Sequence, residues 1–177
     1  MIENNVIECL YNRRSIRKFK PEQISDEELQ TVLHAGTYAP TGKGLQDPWI
    51  VAVQNPTLKG QLEKMNAAVM GTDSNPYYDA PTIVLVFASN PTVWKNSIAD
   101  ASLVLGNMMN AAHAIGLGSC WINREYEMFN TNEGKQLMKE MGLPDGLIGV
   151  GALSLGYAAQ EPKEAKPRKE NYYRILK

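Results

Sequence analysis

The stretch Arg13-Arg14-Ser15-Ile16-Arg17-Lys18-Phe19 places four cations and one hydroxyl within six residues. The rest of the chain is close to neutral, with a formal net charge of −1 for the whole sequence, so this stretch is a concentrated candidate site for an anion. Arginine offers a phosphate a planar fork of donors, and a serine hydroxyl adds another. The alternative interpretation is a solvated basic turn, because runs of like charge usually lie on the surface.

An extended conformation would divide this stretch into two faces. Side chains alternate along a strand, so Arg13, Ser15 and Arg17 would share one side, and Arg14, Ile16 and Lys18 would share the other. The first side would then hold a phosphorylated ligand, while Ile16 and Phe19 anchor the segment in the core. The pattern therefore predicts an anion site formed chiefly by Arg13, Ser15 and Arg17.

Length and composition predict one folded domain over residues 1–177, with a C-terminal extension from about residue 158. The balanced charge argues against a nucleic-acid-binding protein, which would carry a strong basic field. Cys9 and Cys120 lie far apart and no secretory signal is evident, so we expect a reduced, cytoplasmic protein. Two cysteines and two histidines without zinc-ligand spacing predict no metal site.

Local patterns predict alternating helices and strands. Ser25-Asp26-Glu27-Glu28 is a capping box that predicts a helix to about Ala35, ended by Gly36. The other predicted helices span 4–12, 57–69, 92–115 and 131–141, and the predicted strands span 49–54, 83–88, 116–122 and 147–155. Because two helices precede the first strong strand, we expect an α+β sandwich with a mixed sheet rather than a doubly wound parallel sheet.

The predicted helix over 92–115 is apolar nearly all round, which is typical of a buried helix. Asp100, Asn107 and other polar residues interrupt it, so it does not have the pattern of a membrane span. A chain of 177 residues has difficulty surrounding such a helix completely. We therefore expect a helix shared with a dimer interface, and a purely intramolecular core helix remains the alternative.

Two further segments carry candidate site residues. The loop from Ala39 to Trp49 is rich in glycine and proline and would expose backbone donors and acceptors to a flat polar ligand. A plain surface connection is the alternative for this loop. Cys120 lies in an apolar strand with no neighbouring cation in the sequence, so we expect an inert, buried thiol rather than a reactive one.

The order of the segments resembles that of the nitroreductase family of FMN-dependent oxidoreductases. The resemblance runs from Asn5 to Arg168. It rests on the RRSIRKF stretch after a first helix, the Ala-Pro-Thr-Gly loop with its Gln and Pro-Trp, the Ala-rich helix, the Gly-Leu-Gly-Ser-Cys-Trp-Ile strand and the C-terminal Lys-x-Arg. The chain departs from the commoner family pattern at Gly44, where asparagine is frequent, and at Asp47, which separates Gln46 from Pro48-Trp49.

The resemblance implies a three-layer sandwich with a central sheet of about four to five strands. It also implies a domain-sharing homodimer that holds two FMN molecules at the subunit interface, with the C-terminal extension packing on the partner subunit. The loop would reach the flavin of the other subunit. The FMN ligands implied by the family motifs are Arg13, Arg14, Ser15 and Arg17 in the basic stretch, Thr41, Gly42, Gly44 and Gln46 in the loop, Ser119, Cys120 and Trp121 at a strand edge, and Lys166 and Arg168 in the tail.

The implied activity is transfer of hydride from NAD(P)H through bound FMN to a small acceptor such as a nitroaromatic or a quinone, by ping-pong turnover. The flavin does the redox chemistry, so no catalytic side chain is predicted. Arg17 would stabilise the negative charge of the reduced flavin. Two alternatives remain: an FMN-binding sensor or electron-transfer protein that NAD(P)H does not reduce, and a non-enzymatic domain that binds a phosphorylated partner. Neither nucleic acid nor a membrane is an expected partner, and no short motif indicates NADH or NADPH.

Overall fold

The computed structural model describes residues 2–177, and a four-stranded antiparallel sheet forms its centre. The strand order is β1-β2-β4-β3, and each neighbouring pair is antiparallel. The strands are β1 (Trp49–Val53), β2 (Thr82–Ser89), β3 (Gly118–Ile122) and β4 (Leu147–Gly156). The helices are α1 (Asn5–Asn12), α2 (Asp26–Thr37), α3 (Pro56–Met70), α4 (Ser97–Ala114), α5 (Glu125–Phe129) and α6 (Asn132–Glu140).

The α+β class is confirmed, but the expectation of a mixed sheet is wrong. Within residues 2–177 the recorded parallel pairing is a single bridge between Ser15 and Ser119, outside the four strands. The sequence pattern predicted where helices and strands lie. A helical connection, however, can lead into a strand that is either parallel or antiparallel to the one before it. The sequence pattern therefore did not determine the direction of the strands.

Two cores lie on opposite faces of the sheet. Side chains of β2 alternate between them: Ile83, Leu85 and Phe87 pack on the face covered by α3, α5 and α6, and Val84 and Val86 pack on the face covered by α2 and α4. All five are completely buried, as the continuous apolar run of this strand predicts. The result is the three-layer arrangement of helices, sheet and helices.

Helix α4 is less enclosed than its composition predicts. Ala101, Leu105 and Met108 are fully buried against the sheet and α2, but Leu103, on the opposite side, and Ile98, in the first turn, are nearly half exposed. The helix begins at Ser97 rather than near residue 92 because residues 91–96 form turns. In a single chain, α4 therefore keeps an exposed apolar face.

Gly36 has a different role from the predicted helix stop. Helix α2 continues through it to Thr37, and a Cβ atom at Gly36 would lie 2.8 Å from Met108 Cγ. Glycine at this position therefore allows α2 and α4 to approach closely. The capping box is confirmed: the Ser25 hydroxyl accepts from the Glu28 backbone N–H, and the Glu28 carboxylate accepts from that of Ser25.

In the part of the chain that the structure covers, residues 2–177, none of the helices has the length and apolar character needed to cross a membrane. The same residues contain no cluster of three or more histidine, cysteine, aspartate or glutamate side chains placed to hold a metal ion.

Candidate functional site: a two-pocket basic cleft

The basic stretch runs along the edge of β3 in an extended conformation. Ser15 forms the parallel bridge with Ser119, and the Ile16 backbone N–H donates to the Ser119 carbonyl at 2.9 Å. Ile16 is buried, and it packs with Phe19 and Ala80 in a small separate cluster. The prediction that Ile16 anchors an extended segment is confirmed. This pairing places the cations of the stretch beside the strand that carries Ser119 and Cys120.

Backbone hydrogen bonds bring the C-terminal tail to the same place. Lys20 N–H donates to the Tyr157 carbonyl, and Ala159 N–H donates to the Lys18 carbonyl, each at 2.9 Å. A bridge also joins Phe19 to Ala158. These contacts position residues 160–168 across from the basic stretch, although almost 150 residues separate the two in the sequence.

Two adjoining pockets lie between the basic stretch and the tail. The first, here called the helix-side pocket, has a volume of about 500 Å³ and is lined by Leu10, Tyr11, Arg13, Arg14, Ser15, Ala165 and Arg168. The second, the tail-side pocket, has a volume of about 520 Å³ and is lined by Arg14, Ser15, Arg17, Gln160, Lys163, Glu164, Ala165, Lys166 and Arg168. Because four residues line both, the pockets form one cleft with a strongly positive wall.

Arg13 carries the clearest sign of a missing ligand. Its Nη1 atom is buried and has no hydrogen-bond partner within the described residues 2–177. Leaving a buried charged donor without a partner costs free energy, so such an atom indicates a site that an anion completes. Arg14 differs, since its Nη1 donates to the carbonyls of Tyr11 and Arg13 at 2.6 and 2.7 Å and thereby helps to end α1.

Cys120 follows Ser119 in β3, and its side chain packs in the core rather than lining either pocket. Burial raises its pKa, although Arg17, Ser15 and Arg13 lie close enough to lower the pKa in part. Its side chain is almost completely buried, as predicted, and its inertness stays a prediction. The nearby cations, however, were not evident from the sequence, because they reach Cys120 through the pairing of Ser15 with Ser119.

The loop with the other predicted ligands is fastened to the start of α4. The Gly42 backbone N–H donates to Asp100 Oδ1 at 2.9 Å, and the indole N–H of Trp94 donates to Asp100 Oδ2 at 2.8 Å. The Gln46 N–H donates to the Thr41 hydroxyl at 3.0 Å, which closes the loop on itself. Asp100 is almost fully buried, so one carboxylate fixes the loop against the helix.

The tip of this loop has an unusual backbone. Three residues at this tip have positive φ angles: Lys43 (57°), Gly44 (66°) and Gln46 (50°). All three residues are exposed. Non-glycine residues adopt this conformation at a cost, and such strain is typical of functional loops. Asp47, the residue that departs from the family pattern, accepts a hydrogen bond from the Ser89 backbone N–H at 3.0 Å and ties the loop to the end of β2.

The loop and the basic cleft lie at opposite ends of α4. Asp100 holds the loop near the start of the helix, whereas His113, near its end, has its pKa lowered first by burial and then by Arg13 and Arg14. His113 is thirteen positions after Asp100 in the helix. At the usual rise of about 1.5 Å per residue, the two residues are about 20 Å apart along the helix axis. Among residues 2–177, no loop residue lines either pocket. One chain therefore brings together the predicted ligands of the basic stretch and the tail. Within residues 2–177, Ser119, Cys120 and Trp121 line neither pocket, although β3 pairs with the basic stretch at Ser15, and the loop ligands lie apart from the cleft.

Replacing Asp100 with alanine should loosen this loop. The change leaves the Gly42 N–H and the Trp94 indole without their acceptor, so we expect the free energy of unfolding to fall by about 2 kcal/mol. Urea denaturation would measure the loss, and amide exchange would show it in residues 41–46. Asp145→Ala, at an exposed aspartate, is the control. Equal stability and equal exchange in the two variants would contradict this role of Asp100.

Sequence reasoning missed a buried polar network around Tyr77, in the segment between α3 and β2. The Tyr77 hydroxyl donates to Glu125 Oε1 at 3.0 Å, and Arg124 Nε donates to Asn66 Oδ1 at 2.9 Å. Glu125 is completely buried, its Oε2 has no partner in residues 2–177, and burial raises its pKa to about 7. Tyr78 follows Tyr77 in the chain. The centroid of its ring lies 5.9 Å from the central guanidinium carbon of Arg17.

Lys163 and Gln160 were also missed as cleft residues, because a charged, proline-containing tail has no pattern that places it in space. The only available signal was the proximity of Lys163 to the Lys166-x-Arg168 motif.

Trp121 is half-buried at the strand edge, where its indole N–H donates to Asn123 Oδ1 at 2.8 Å. The cleft therefore has a strongly positive wall next to β3, an arrangement suited to an anionic ligand.

Comparisons with known proteins agree with this geometry. The family model described as "Nitroreductase family" matches residues 10–157. A protein of Archaeoglobus fulgidus, whose name joins NADH dehydrogenase and NAD(P)H nitroreductase, is 32% identical over 165 residues and 87% of each chain is covered. The NADPH-flavin oxidoreductase of Vibrio harveyi is 30% identical, over 93% of this chain and 70% of that protein.

A solved structure is similar over nearly the full length. The nitroreductase of Bacteroides fragilis, crystallised with bound FMN, has a TM-score of 0.89 and 28% identity, and the match covers 99% of this chain and 100% of that one. The family match extends over most of the sequence and the fold agrees with it. This chain therefore belongs to the nitroreductase family.

Proposed function

We propose that this protein is an FMN-dependent oxidoreductase that passes hydride from NAD(P)H to a small acceptor, such as a nitroaromatic or a quinone. The observation that carries the proposal is the buried Nη1 of Arg13, which has no partner within residues 2–177, in a cleft whose other cations come from both the basic stretch and the distant tail. The similarity to a nitroreductase crystallised with FMN and to an NADPH-flavin oxidoreductase supports it.

The residues of the cleft fit the parts of FMN. Arg13 and Ser15, together with Arg168 and Lys166, would hold the phosphate, which carries about −1.5 to −2 charge at neutral pH. Arg13 contributes a buried donor, and Ser15 contributes a hydroxyl in the wall shared by both pockets. The β3 edge at Ser119–Trp121 would support the ring. Arg14 would serve mainly to order the end of α1, because its Nη1 already donates to two carbonyls.

When bound, FMN would accept hydride from the nicotinamide and deliver it to the acceptor. Arg17 would supply a positive charge that stabilises the reduced, negatively charged flavin, while the Tyr78 ring limits the positions open to its guanidinium. Cys120, buried and with a raised pKa, would remain a neutral thiol and take no part. No side chain needs to act as nucleophile.

We further propose that two copies of the chain complete each site. The loop at Thr41–Gln46 is held at Asp100, about 20 Å along α4 from His113, which lies near Arg13 and Arg14 of the cleft. Val6 and Leu10 of α1 and Leu103 of α4 are 69%, 49% and 47% exposed, which gives the chain an apolar surface for a second copy. Light scattering during gel filtration should give twice the 19.7 kDa of the chain. A monomer at micromolar concentration would contradict the shared site.

The partner copy would bring its own Thr41, Gly42, Gly44 and Gln46 to the flavin, and the tail would pack across the same interface. Both cysteines are free, which fits the reducing, cytoplasmic setting that the sequence predicts. These assignments of the loop, tail and compartment are part of the proposal.

An absorption spectrum tests the function directly. Purified protein, after incubation with FMN and removal of the excess, should be yellow, and NADH or NADPH should bleach it under anaerobic conditions. A colourless protein that retains no FMN would refute the proposal. If dithionite bleaches the bound flavin but neither nicotinamide does, the protein is instead an FMN-binding sensor or electron-transfer protein.

Arg17→Ala should affect the reaction more than the retention of the phosphate. Loss of a charged donor near the reduced flavin is expected to slow flavin reduction about tenfold or more, the effect of about 1.4 kcal/mol, and to weaken FMN binding to a smaller extent. Stopped-flow absorbance would measure the rate. Lys18→Ala is the control, because Lys18 is exposed and lines neither pocket. Unchanged reduction in Arg17→Ala would show that its charge is not used.

A further inference from the structure

The tail-side pocket of the basic cleft carries more positive charge than one flavin phosphate requires. The tail-side pocket is lined by five cations and a single carboxylate, that of Glu164. A phosphate monoester carries at most two negative charges, so it leaves much of this positive charge without a counterpart.

The functions proposed above use most of these cations. Arg13, Arg168 and Lys166 hold the phosphate, Arg17 serves the flavin ring, and Arg14 donates to the end of α1. Lys163 has no role in these assignments. It lines the tail-side pocket but not the helix-side pocket, and Gln160 lies in the same wall as a second polar group. Lys163 therefore points to a second anion, bound beside the flavin phosphate rather than in place of it.

We infer that the tail-side pocket, through Lys163, receives the 2′-phosphate of the hydride donor, so that the enzyme prefers NADPH to NADH. This inference rests on the proposed function, since the donor must bind next to the flavin. Both nucleotides carry the same nicotinamide and diphosphate, and they differ only in the phosphate monoester on the adenosine ribose. A compact, flexible lysine cation is well suited to such a phosphate at an exposed site. Long-range attraction by the surrounding cations would also favour the more highly charged donor.

The test compares donor preference in the FMN-loaded enzyme. The ratio of kcat/KM for NADPH to kcat/KM for NADH should favour NADPH in the wild type. In Lys163→Gln this ratio should fall about tenfold, the effect expected from one charged hydrogen bond. Lys163→Arg should retain most of the preference because it keeps the charge. Lys64→Gln, at an exposed lysine on α3 outside the cleft, is the matched control and should leave the ratio unchanged.

A binding measurement gives an independent result. With FMN bound, 2′,5′-ADP should compete with NADPH much better than 5′-AMP does, and Lys163→Gln should reduce that advantage. The advantage should also shrink at high salt, as screening weakens exposed charge pairs. Equal competition by the two nucleotides, or a preference ratio that Lys163→Gln does not change, would overturn the inference.

The outcomes also separate this inference from the proposed function. A yellow enzyme that NADH and NADPH reduce with equal efficiency would leave the proposed function intact and refute only the role of Lys163. A protein that retains no FMN would refute both. Circular dichroism of Lys163→Gln would confirm that the variant is folded, which is expected because the side chain is exposed.

Discussion

Arg13→Ala should lose FMN during purification, with a dissociation constant at least about 30-fold higher than that of the wild type. Removing one member of a buried, hydrogen-bonded charge pair costs about 2–5 kcal/mol, and each 1.4 kcal/mol is a factor of ten in affinity. Arg13 is the candidate for such a pair because its Nη1 is buried and unpartnered in the described chain. Quenching of FMN fluorescence on titration with apoprotein would give the constant.

The same variant should not unfold more easily in the absence of FMN. The buried donor of Arg13 has no acceptor within residues 2–177, so removing it takes away a cost rather than a stabilising bond. We therefore expect apo Arg13→Ala to be as stable as the apo wild type, or more so, in urea. This combination distinguishes a ligand-binding arginine from a structural one, whose loss would lower stability first.

Two further variants complete the experiment on FMN binding. Arg13→Lys keeps the charge but lacks the planar fork of donors, so it should recover only part of the affinity. Lys18→Ala, in the same stretch but outside both pockets, should bind FMN as the wild type does. If Arg13→Ala binds FMN within threefold of the wild type, the assignment of Arg13 to the phosphate is wrong.

Glu125 should make the stability of the fold depend on pH near neutrality. Burial raises its pKa in the folded state to about 7, from an ordinary value of 4.5. Between these two values the folded protein keeps a proton that the unfolded chain has already lost. Raising the pH through this window therefore favours unfolding, and the stabilisation present below about pH 4.5 is lost by about pH 7.

The expected size of this effect is about 3 kcal/mol, since each unit of pKa difference corresponds to about 1.4 kcal/mol. Glu125→Gln keeps an oxygen for the Tyr77 hydroxyl and removes the ionisable group. Relative to this variant, the wild type should lose about 3 kcal/mol of unfolding free energy between pH 5 and pH 8. Urea denaturation at several pH values would measure both.

The difference between the two proteins isolates Glu125 from other titrating groups. The pKa of Glu28 is lowered chiefly by the hydrogen bond from the Tyr157 hydroxyl, and that of His113 is lowered chiefly by burial, but both are present in each protein. Glu161→Gln, at an exposed glutamate in the tail, should follow the wild type. Parallel curves for the wild type and Glu125→Gln would show that this carboxyl does not titrate in the folded protein near pH 7.

Features that depend on near neighbours in the chain could be predicted from the sequence. The helix that starts after Ser25 was predicted because its capping box is complete within four residues, and the structure contains both hydrogen bonds. Strand β2 was predicted because its apolar run is continuous. The extended basic stretch was predicted from alternation, and Ile16 is buried as expected. In each case the information lies within a few residues, where periodicity and propensity act.

Features that depend on distant contacts could not be predicted in this way. Gly36 looked like a helix stop, but its role depends on Met108, 72 residues later. The loop at Gly42 is held by Asp100, and Glu125 is paired with Tyr77. None of these partners can be identified from spacing, because side chains far apart in the sequence meet only after the sheet and helices have packed.

The sequence by itself determined the class of the fold, the anchored basic stretch and the resemblance to the nitroreductase family, because each is a matter of local pattern and segment order. Only the tertiary structure decided that the sheet is antiparallel, that the tail closes a two-pocket cleft with Lys163 in it, and that the loop lies at the far end of α4. The physical reason is that strand direction and cleft geometry follow from long-range hydrogen bonds and packing. A local sequence pattern contains no information on these long-range contacts.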